Sequence, residues 1–411
     1  MRNRFRPLLA ALALAGLAGG AHAQWAPKLK LSGFGTLGVV HSDEKNADFV
    51  STIFEPNGAG YTHRTTATPD SKLGVQLDAV FNDQLSAVLQ LVSQHRYDNG
   101  FTPQVEWANV KWQATPEFSV RAGRIAAPSF LISDTRYVGY AQPWVRPPVE
   151  VYGVLPVTSN DGVDLTWRKP FGSVTNTVQA YYGQSTAKLK TGSSKSNPGW
   201  GVNDTVQSGD ITLRAGYTVN DVDLNFPGIA TLVNGIGAFR AVPGAAGAQA
   251  AALADKYSVN DMKLGAFSLA ASYDPGRWFA MSEFVDFRGD GILADSRSWY
   301  VAGGYRLGAF TPYAVYARTR SSVKTEAGVP LPAAAPLNAG LNAALNNQFN
   351  GSQSTTTLGV RWDFAKNMDL KVQFDRISLD ANSAGRLANV QPAFQRGGDV
   401  NLFSATLDFI F

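Results

Sequence analysis

From Gln24 to Phe411 the chain alternates apolar and polar residues in segments of strand length. Nowhere in that stretch does it offer the run of about 20 apolar residues that a membrane helix requires. Leu73, Val75, Leu77, Ala79 and Phe81 alternate with Lys72, Gly74, Gln76, Asp78 and Val80. Leu358, Val360, Trp362 and Phe364 alternate with Thr357, Gly359, Arg361 and Asp363. Leu370, Val372 and Phe374 alternate with Asp369, Lys371, Gln373 and Asp375. The last stretch puts Phe403, Ala405, Leu407, Phe409 and Phe411 on one face and Ser404, Thr406 and Asp408 on the other. A period of two gives each segment two different faces. Two all-β solutions remain, a large soluble sandwich and a transmembrane barrel whose apolar residues hide in alternation.

Composition narrows the choice. Only 17% of residues are charged, against roughly 25% in ordinary soluble domains. The mean hydropathy is nevertheless −0.11, so apolar residues have not been gathered into long runs. With no cysteine, the chain cannot be a disulfide scaffold, a thiol enzyme or a Cys-ligated metal protein.

The first 23 residues are addressed differently. Arg2, Arg4 and Arg6 precede an apolar stretch from Leu8 to Leu17, and Ala21-His22-Ala23 then supplies small residues before Gln24. That is the pattern of a secretory signal peptide cleaved between Ala23 and Gln24, leaving 24–411 as the mature domain. Removing three arginines leaves 33 basic against 32 acidic side chains. There is no polybasic block, and nucleic acid is not an expected partner.

The connections come in two sizes that take turns. Short turn signals sit at Asn82-Asp83, Thr115-Pro116-Glu117, Lys169-Pro170-Phe171-Gly172, Asn220-Asp221, Asp274-Pro275-Gly276, Leu307-Gly308 and Ala365-Lys366-Asn367. Longer polar stretches lie at about 42–70, 95–103, 126–160, 184–207, 227–256, 288–295, 320–352 and 380–398. Seven turns and eight loops join sixteen strands, with the ninth, Val222 to Phe226, the shortest; fourteen and eighteen are the alternatives. Both chain ends then fall at the short-turn end, where first and last strands can pair. The Ala-rich run from Ala245 to Ala254 reads as a short helix in a loop. Phe81, Trp112, Phe118, Trp167, Tyr217, Tyr273, Trp278, Phe310 and Phe364 all lie near the short turns, as one ring at a membrane interface would. The expected fold is a closed antiparallel transmembrane β-barrel with short turns at one end and long loops at the other.

The opening strand Lys30-Leu31-Ser32-Gly33-Phe34-Gly35-Thr36, Lys72-Leu73-Gly74 at the second strand, and the aromatic strand ending in Phe411 resemble Gram-negative outer-membrane porins of the general diffusion type. The resemblance spans 24–411. It implies short turns in the periplasm, a water-filled pore for small hydrophilic solutes and ions, and a homotrimer in outer-membrane lipid and lipopolysaccharide. It also implies that Phe411 is the signal read by the barrel assembly machinery, and that the third loop folds inward to narrow the pore. That loop lacks the Pro-Glu-Phe-Gly run of enterobacterial relatives, reading Pro128-Ser129-Phe130 through Pro147-Pro148-Val149-Glu150-Val151-Tyr152-Gly153 instead.

With the apolar face outward, strand parity sends Lys111, Arg121, Arg168, Arg214, Arg318, Arg361 and Lys371 into the lumen, with Asp78, Asp164, Glu283, Asp363, Asp369 and Asp375. Lysine or arginine facing lipid at mid-bilayer would cost about 2–4 kcal/mol. The third loop carries Asp134, Arg136, Arg146 and Glu150 among aromatic residues and prolines, and its acids are expected to face Arg121 and Arg168 across the narrowest point. An anion- or organic-acid-preferring porin is the alternative within transport, and a barrel enzyme or adhesin the alternative outside it. No cluster has metal-ligand spacing, no cofactor is expected, and His41 with Asp43 is the one pair resembling a catalytic dyad.

Overall fold

The computed structural model describes residues 27–153, 157–347 and 350–411. The expected signal segment, with Ala23 and Gln24, lies outside them, as do loop residues 154–156. Sixteen long strands follow one another: β1 (Lys28–Ser42), β2 (Lys72–Val80), β3 (Leu85–Gln94), β4 (Gln104–Gln113), β5 (Phe118–Ala126), β6 (Ser159–Phe171), β7 (Val174–Leu189) and β8 (Gly192–Ser208). They continue as β9 (Ile211–Asn225), β10 (Met262–Tyr273), β11 (Trp278–Gly289), β12 (Ser296–Tyr305), β13 (Phe310–Ser321), β14 (Gln353–Ala365), β15 (Met368–Leu379) and β16 (Asp399–Ile410). Each pairs antiparallel with its sequence neighbour, and β1 also pairs with β16. The sheet has no free edge, because Phe34 lies opposite Ile410 and Gly33 and Phe411 exchange backbone hydrogen bonds of 2.9 and 3.0 Å. A two-residue strand, Thr65–Thr66, adds to β1 from the first loop.

We number the connections at the long-loop end L1 to L8. L1 spans 43–71, L3 spans 127–158 and contains the single-turn helix α1 (Val149–Tyr152), L5 spans 226–261, L7 spans 322–352 and L8 spans 380–398. L5 carries α2 (Pro227–Gly237) and α3 (Ala245–Lys256), and L7 carries α4 (Ala335–Asn347). The Ala-rich run is thus helical. Ile229, Val233, Ile236, Leu253, Leu341 and Leu345 form an apolar core between these helices, which lie as one packed layer at the loop end. Among the described residues no helix is long and apolar enough to cross a membrane.

The strand count agrees with the sequence reading, but two strands are placed differently. Asn220-Asp221 is not a turn; it lies within β9, and the turn is Gly209-Asp210, with Gly209 at φ +55°. The stretch read as a loop at 184–207 is the end of β7 and most of β8, joined by Lys190-Thr191 alone. Accordingly Val222 to Asn225 is the end of β9 and no separate strand, and Phe226 opens L5. A barrel strand needs about 9–11 residues to cross, whereas β7 and β8 have 16 and 17. Their surplus rises beyond the apolar belt, where both faces can be polar, so the alternation that marks a strand is lost.

The outer wall carries Leu29, Leu31, Leu73, Val110, Leu213, Leu269, Val301, Leu358 and Val372, all exposed. In water such a belt would be an aggregation liability; against hydrocarbon it is the correct surface. Aromatic residues border it on both sides. Tyr273 and Trp278 (5.0 Å) and Phe310 and Trp362 (5.7 Å) lie at the short-turn end, and Trp200 with Tyr217 (5.9 Å) and Trp299 with Tyr316 (5.5 Å) toward the loops. Tyr217 belongs to this second ring. Its expected place in the first followed from the misplaced turn.

Candidate functional site

L3 does not rise from the barrel. It crosses the interior and packs on the inner faces of β11 to β16. Phe130, Ile132, Trp144, Val151 and Tyr152 bury themselves against Phe279, Val285, Tyr300, Ala302, Tyr313, Val315 and Ala317. The wall there is apolar on both faces, one meeting lipid and the other meeting L3.

Charged wall residues hold the loop by its backbone. Lys371, fully buried between Asp408 (2.9 Å) and Asp369 (3.3 Å), donates to the Gly139 carbonyl at 2.7 Å. Arg361 donates to the carbonyls of Tyr140 (2.7 Å) and Gln142 (3.0 Å), stacks over the Tyr140 ring, and pairs with Asp363 and Asp369. Glu283 accepts from the Leu131 amide (3.0 Å) and the Tyr152 hydroxyl (2.6 Å). Arg214 donates to the Pro128 carbonyl at 2.6 Å and Thr205 at 3.0 Å. The approach at Gly139 is so close that a Cβ would sit 2.0 Å from Asp408 Oδ1.

The loop's own charges are mostly anchors. Arg146 is buried between Asp70 of L1 (2.6 Å) and Asp375 of β15 (2.8 Å), and donates to Ser404 Oγ at 2.6 Å. Glu150 is buried on β14, accepting from Gln353 Nε2 at 2.6 Å and from the Thr355 hydroxyl. Burial pushes its carboxyl above the ordinary range, against the pull of those two bonds and of the Arg386 charge. Arg136 donates to the Tyr152 carbonyl (2.6 Å) and lies over that ring. Of the four loop residues named from sequence, Asp134 is the one left exposed.

Two expectations are corrected here. Arg318 does not point into the lumen: Thr311, Tyr313, Val315, Ala317 and Thr319 are the buried, inward residues of β13, and Arg318 shares the outward parity of Ala314 and Tyr316. It pairs with Asp380 at the start of L8, at 2.9 Å. The rule of apolar outward fails on β13 because the inward residues are apolar too, covered by L3. Nor do Arg121 and Arg168 face the acids of L3. Arg121 pairs with Asp164 on the adjoining β6 at 2.6 Å, and Arg168 lies two residues below Thr166 toward the short turn, exposed.

The open lumen lies between L3 and strands β2 to β6. Asp78, Lys111, the Arg121–Asp164 pair and Arg168 line it from the wall, and Asp134 and Thr135 from the loop. Asp363 lies inward and exposed near the short turn after β14. Among the described residues, Lys111 and Arg168 have no carboxylate partner. Lys30, which pairs in register with Asp78 on the inward face of β1, was missed from sequence, as was Asp70. Parity would have found Lys30; no pattern in L1 marks Asp70.

A closed barrel with an apolar outer belt and a polar lumen half filled by an inward loop defines an outer-membrane channel. The family model for Gram-negative porins matches residues 9–382, and the chain belongs to that family. It is a channel for passive diffusion of small solutes across the outer membrane. Solved structures of similar fold include the outer membrane channel DcaP of Acinetobacter baumannii, with a TM-score of 0.58 and 13% identity over 95% of this chain and 99% of that one. The trimer form of OmpT from Vibrio cholerae gives 0.55 and 15%, covering 94% and 100%. An anion-selective porin from Comamonas acidovorans gives 0.54 and 12%, again over 94% and 100%. At such identities the likeness is one of fold. No curated protein matches the chain in sequence.

Proposed function

We propose that the pore narrows between L3 and the wall formed by β4, β5 and β6, and that it passes anions more readily than cations. The observation that carries this reading is the charge left unpaired. Among the described residues Lys30, Lys111 and Arg168 project inward without an ion pair, against Asp78 on the wall and Asp134 on L3. Low-dielectric walls magnify such a local excess, although the mature chain's net charge is only +1 by the count above. The Comamonas porin of like fold is described as anion-selective, in keeping with this reading. In a KCl gradient the reversal potential should have the anion sign, shrinking as salt shortens the Debye length from about 10 Å at 0.1 M. Replacing Lys111 and Arg168 together by Gln should move it toward cations. An unchanged potential would remove these two side chains from the selectivity site.

The finer biology follows the family. The chain enters the periplasm by a signal cleaved after Ala23, inserts through the barrel assembly machinery reading Phe411, and sits as a homotrimer among outer-membrane lipid and lipopolysaccharide. It acts without catalysis. In support, His41 bonds Thr65 (2.8 Å) and Asp43 bonds Asn401 (2.6 Å), so the two do not form a dyad.

A further inference from the structure

The wall of the barrel is not level at the loop end. β6 accompanies β7 no higher than the rung that pairs Asp161 with Gln184, whereas β7 runs on to Leu189 with β8 alone beside it among the described residues. The step opens a cavity of about 340 Å³, in the size range of small-ligand pockets. L2 (95–103), which joins β3 to β4, closes it and brings Arg96 and Tyr97 to the same space as Thr186 and Lys188 of β7. L2 is held in place, since the Arg96 amide donates to the Gly100 carbonyl (3.1 Å) and Asn57 of L1 donates to the Asn99 side chain (2.7 Å).

Arg96, Arg124 and Lys188 line this cavity with two carboxylates, and both carboxylates are already engaged. Asp161 holds Arg124 through two bonds of 2.7 Å. Glu106 is buried, accepts from the Thr158 hydroxyl and acts on Arg96 only at longer range. Among the described residues Arg96 and Lys188 pair with no carboxylate. Lys188 lies 5.7 Å over the Tyr97 ring, and the Arg96 Nε is buried without a hydrogen-bond acceptor. A buried donor without an acceptor is costly and rare, and this one is charged and borders open space. The rest of the lining offers the Gln104 and Gln184 amides and the Thr186 hydroxyl, with the Phe54 and Tyr97 rings as flat apolar surfaces.

We infer that this cavity binds the phosphate monoester of a sugar, with the phosphate taken by Arg96 and Lys188 and the sugar hydroxyls by Gln104, Gln184 and Thr186. A guanidinium and an ammonium together match a doubly charged oxyanion. A bare phosphate would leave most of the space and both rings without contact, and an uncharged sugar would leave the Arg96 donor unanswered. Tyr182, Gln184, Thr186 and Lys188 share the exposed face of β7, and Tyr182 lies opposite Trp200. Interfacial aromatic residues settle at the headgroup level, so the cavity stands just above it. The ester is therefore either a free solute or the phosphorylated sugar of outer-leaflet lipopolysaccharide, the same chemistry from two sources. The site is independent of the pore's ion preference.

The test uses the full channel refolded in detergent free of lipopolysaccharide, with KCl steps in planar bilayers as proof of folding and equilibrium dialysis of labelled glucose 6-phosphate as readout. Glucose 6-phosphate should bind at least about tenfold tighter than inorganic phosphate, and glucose should not compete. Arg96→Gln and Lys188→Gln should each weaken binding about tenfold or more, the loss of one charge-assisted hydrogen bond, with KCl steps still present. Lys188 is exposed, so its variant serves if Arg96→Gln does not fold. Added lipopolysaccharide separates the sources. Competition that disappears when its phosphates are removed supports the site with the lipid as occupant, and no competition supports it with a free solute. Competition that survives dephosphorylation would overturn the role given to the phosphate. No binding of glucose 6-phosphate, binding no tighter than phosphate (an adventitious ion only), or binding untouched by both variants would overturn the site.

Discussion

At the scale of single residues, the inner loop is held by charges that touch little water. Arg146 is the clearest case, with a buried aspartate on either side, Asp70 from L1 and Asp375 from β15. Taking two or three charges out of water is costly, and such a cluster is weak evidence for stability. Breaking it is another matter, since Arg146→Ala leaves two buried carboxylates facing each other without their cation. A loss of about 3–5 kcal/mol is expected, seen as a lower temperature of the folded-to-unfolded shift on gels and as added current noise. Unchanged noise and melting would mean that L3 is held without this cluster. Glu150 adds a pH dependence. Burial raises its carboxyl, so the fold favours the neutral form, and that contribution is complete below the ordinary glutamate value of 4.5 and is lost as pH rises through the raised value. L3 should therefore be quieter below pH 4.5 than in alkaline buffer, and Glu150→Gln should flatten the difference. Equal noise at both pH values in the unmodified channel would contradict this.

At the scale of elements, close packing at glycine decides two things. The Phe411 ring covers Gly33 and the Phe409 ring covers Gly35, at distances that leave no room for a Cβ. Deleting Phe411 removes the cover on Gly33 and the last two backbone bonds of the seam between β16 and β1. Export should persist while heat-modifiable barrel in the outer membrane falls sharply; normal yield of folded barrel would refute a role for the last residue. Gly139→Val should push L3 off Thr36 and Asp408 and change conductance, whereas unaltered conductance would show that L3 does not set the pore. What was legible in the sequence follows the same division. Strands within the apolar belt, such as β2, β14, β15 and β16, announce themselves because lipid on one side and lumen on the other enforce alternation. β8 was hidden because its upper half, Ser193 to Asn197, stands clear of the lipid. Gly209-Asp210 carried turn chemistry as good as Asn220-Asp221, and only strand length distinguishes them. The role of Glu283, Arg361 and Lys371 as anchors of L3 was unreadable, because parity gives a direction and says nothing of what is met there.

At the scale of the whole molecule, the barrel is an asymmetric vessel. L3 lines the half from β11 to β16 and leaves the polar wall of β2 to β6 facing the lumen, with a packed layer of helices at the loop end. Passive diffusion is the function the family carries, and L3 seated firmly against the wall suits it. The central claim is therefore that conduction is set by a fixed water-filled gap beside L3. Single-channel conductance in planar bilayers, measured over rising KCl with the intact chain and with 130–150 replaced by a short Gly-Ser link, tests it most directly. The account predicts ohmic steps that grow in proportion to salt in both proteins and are larger in the shortened one. Absent steps in the intact protein, or equal steps in the two, would contradict it.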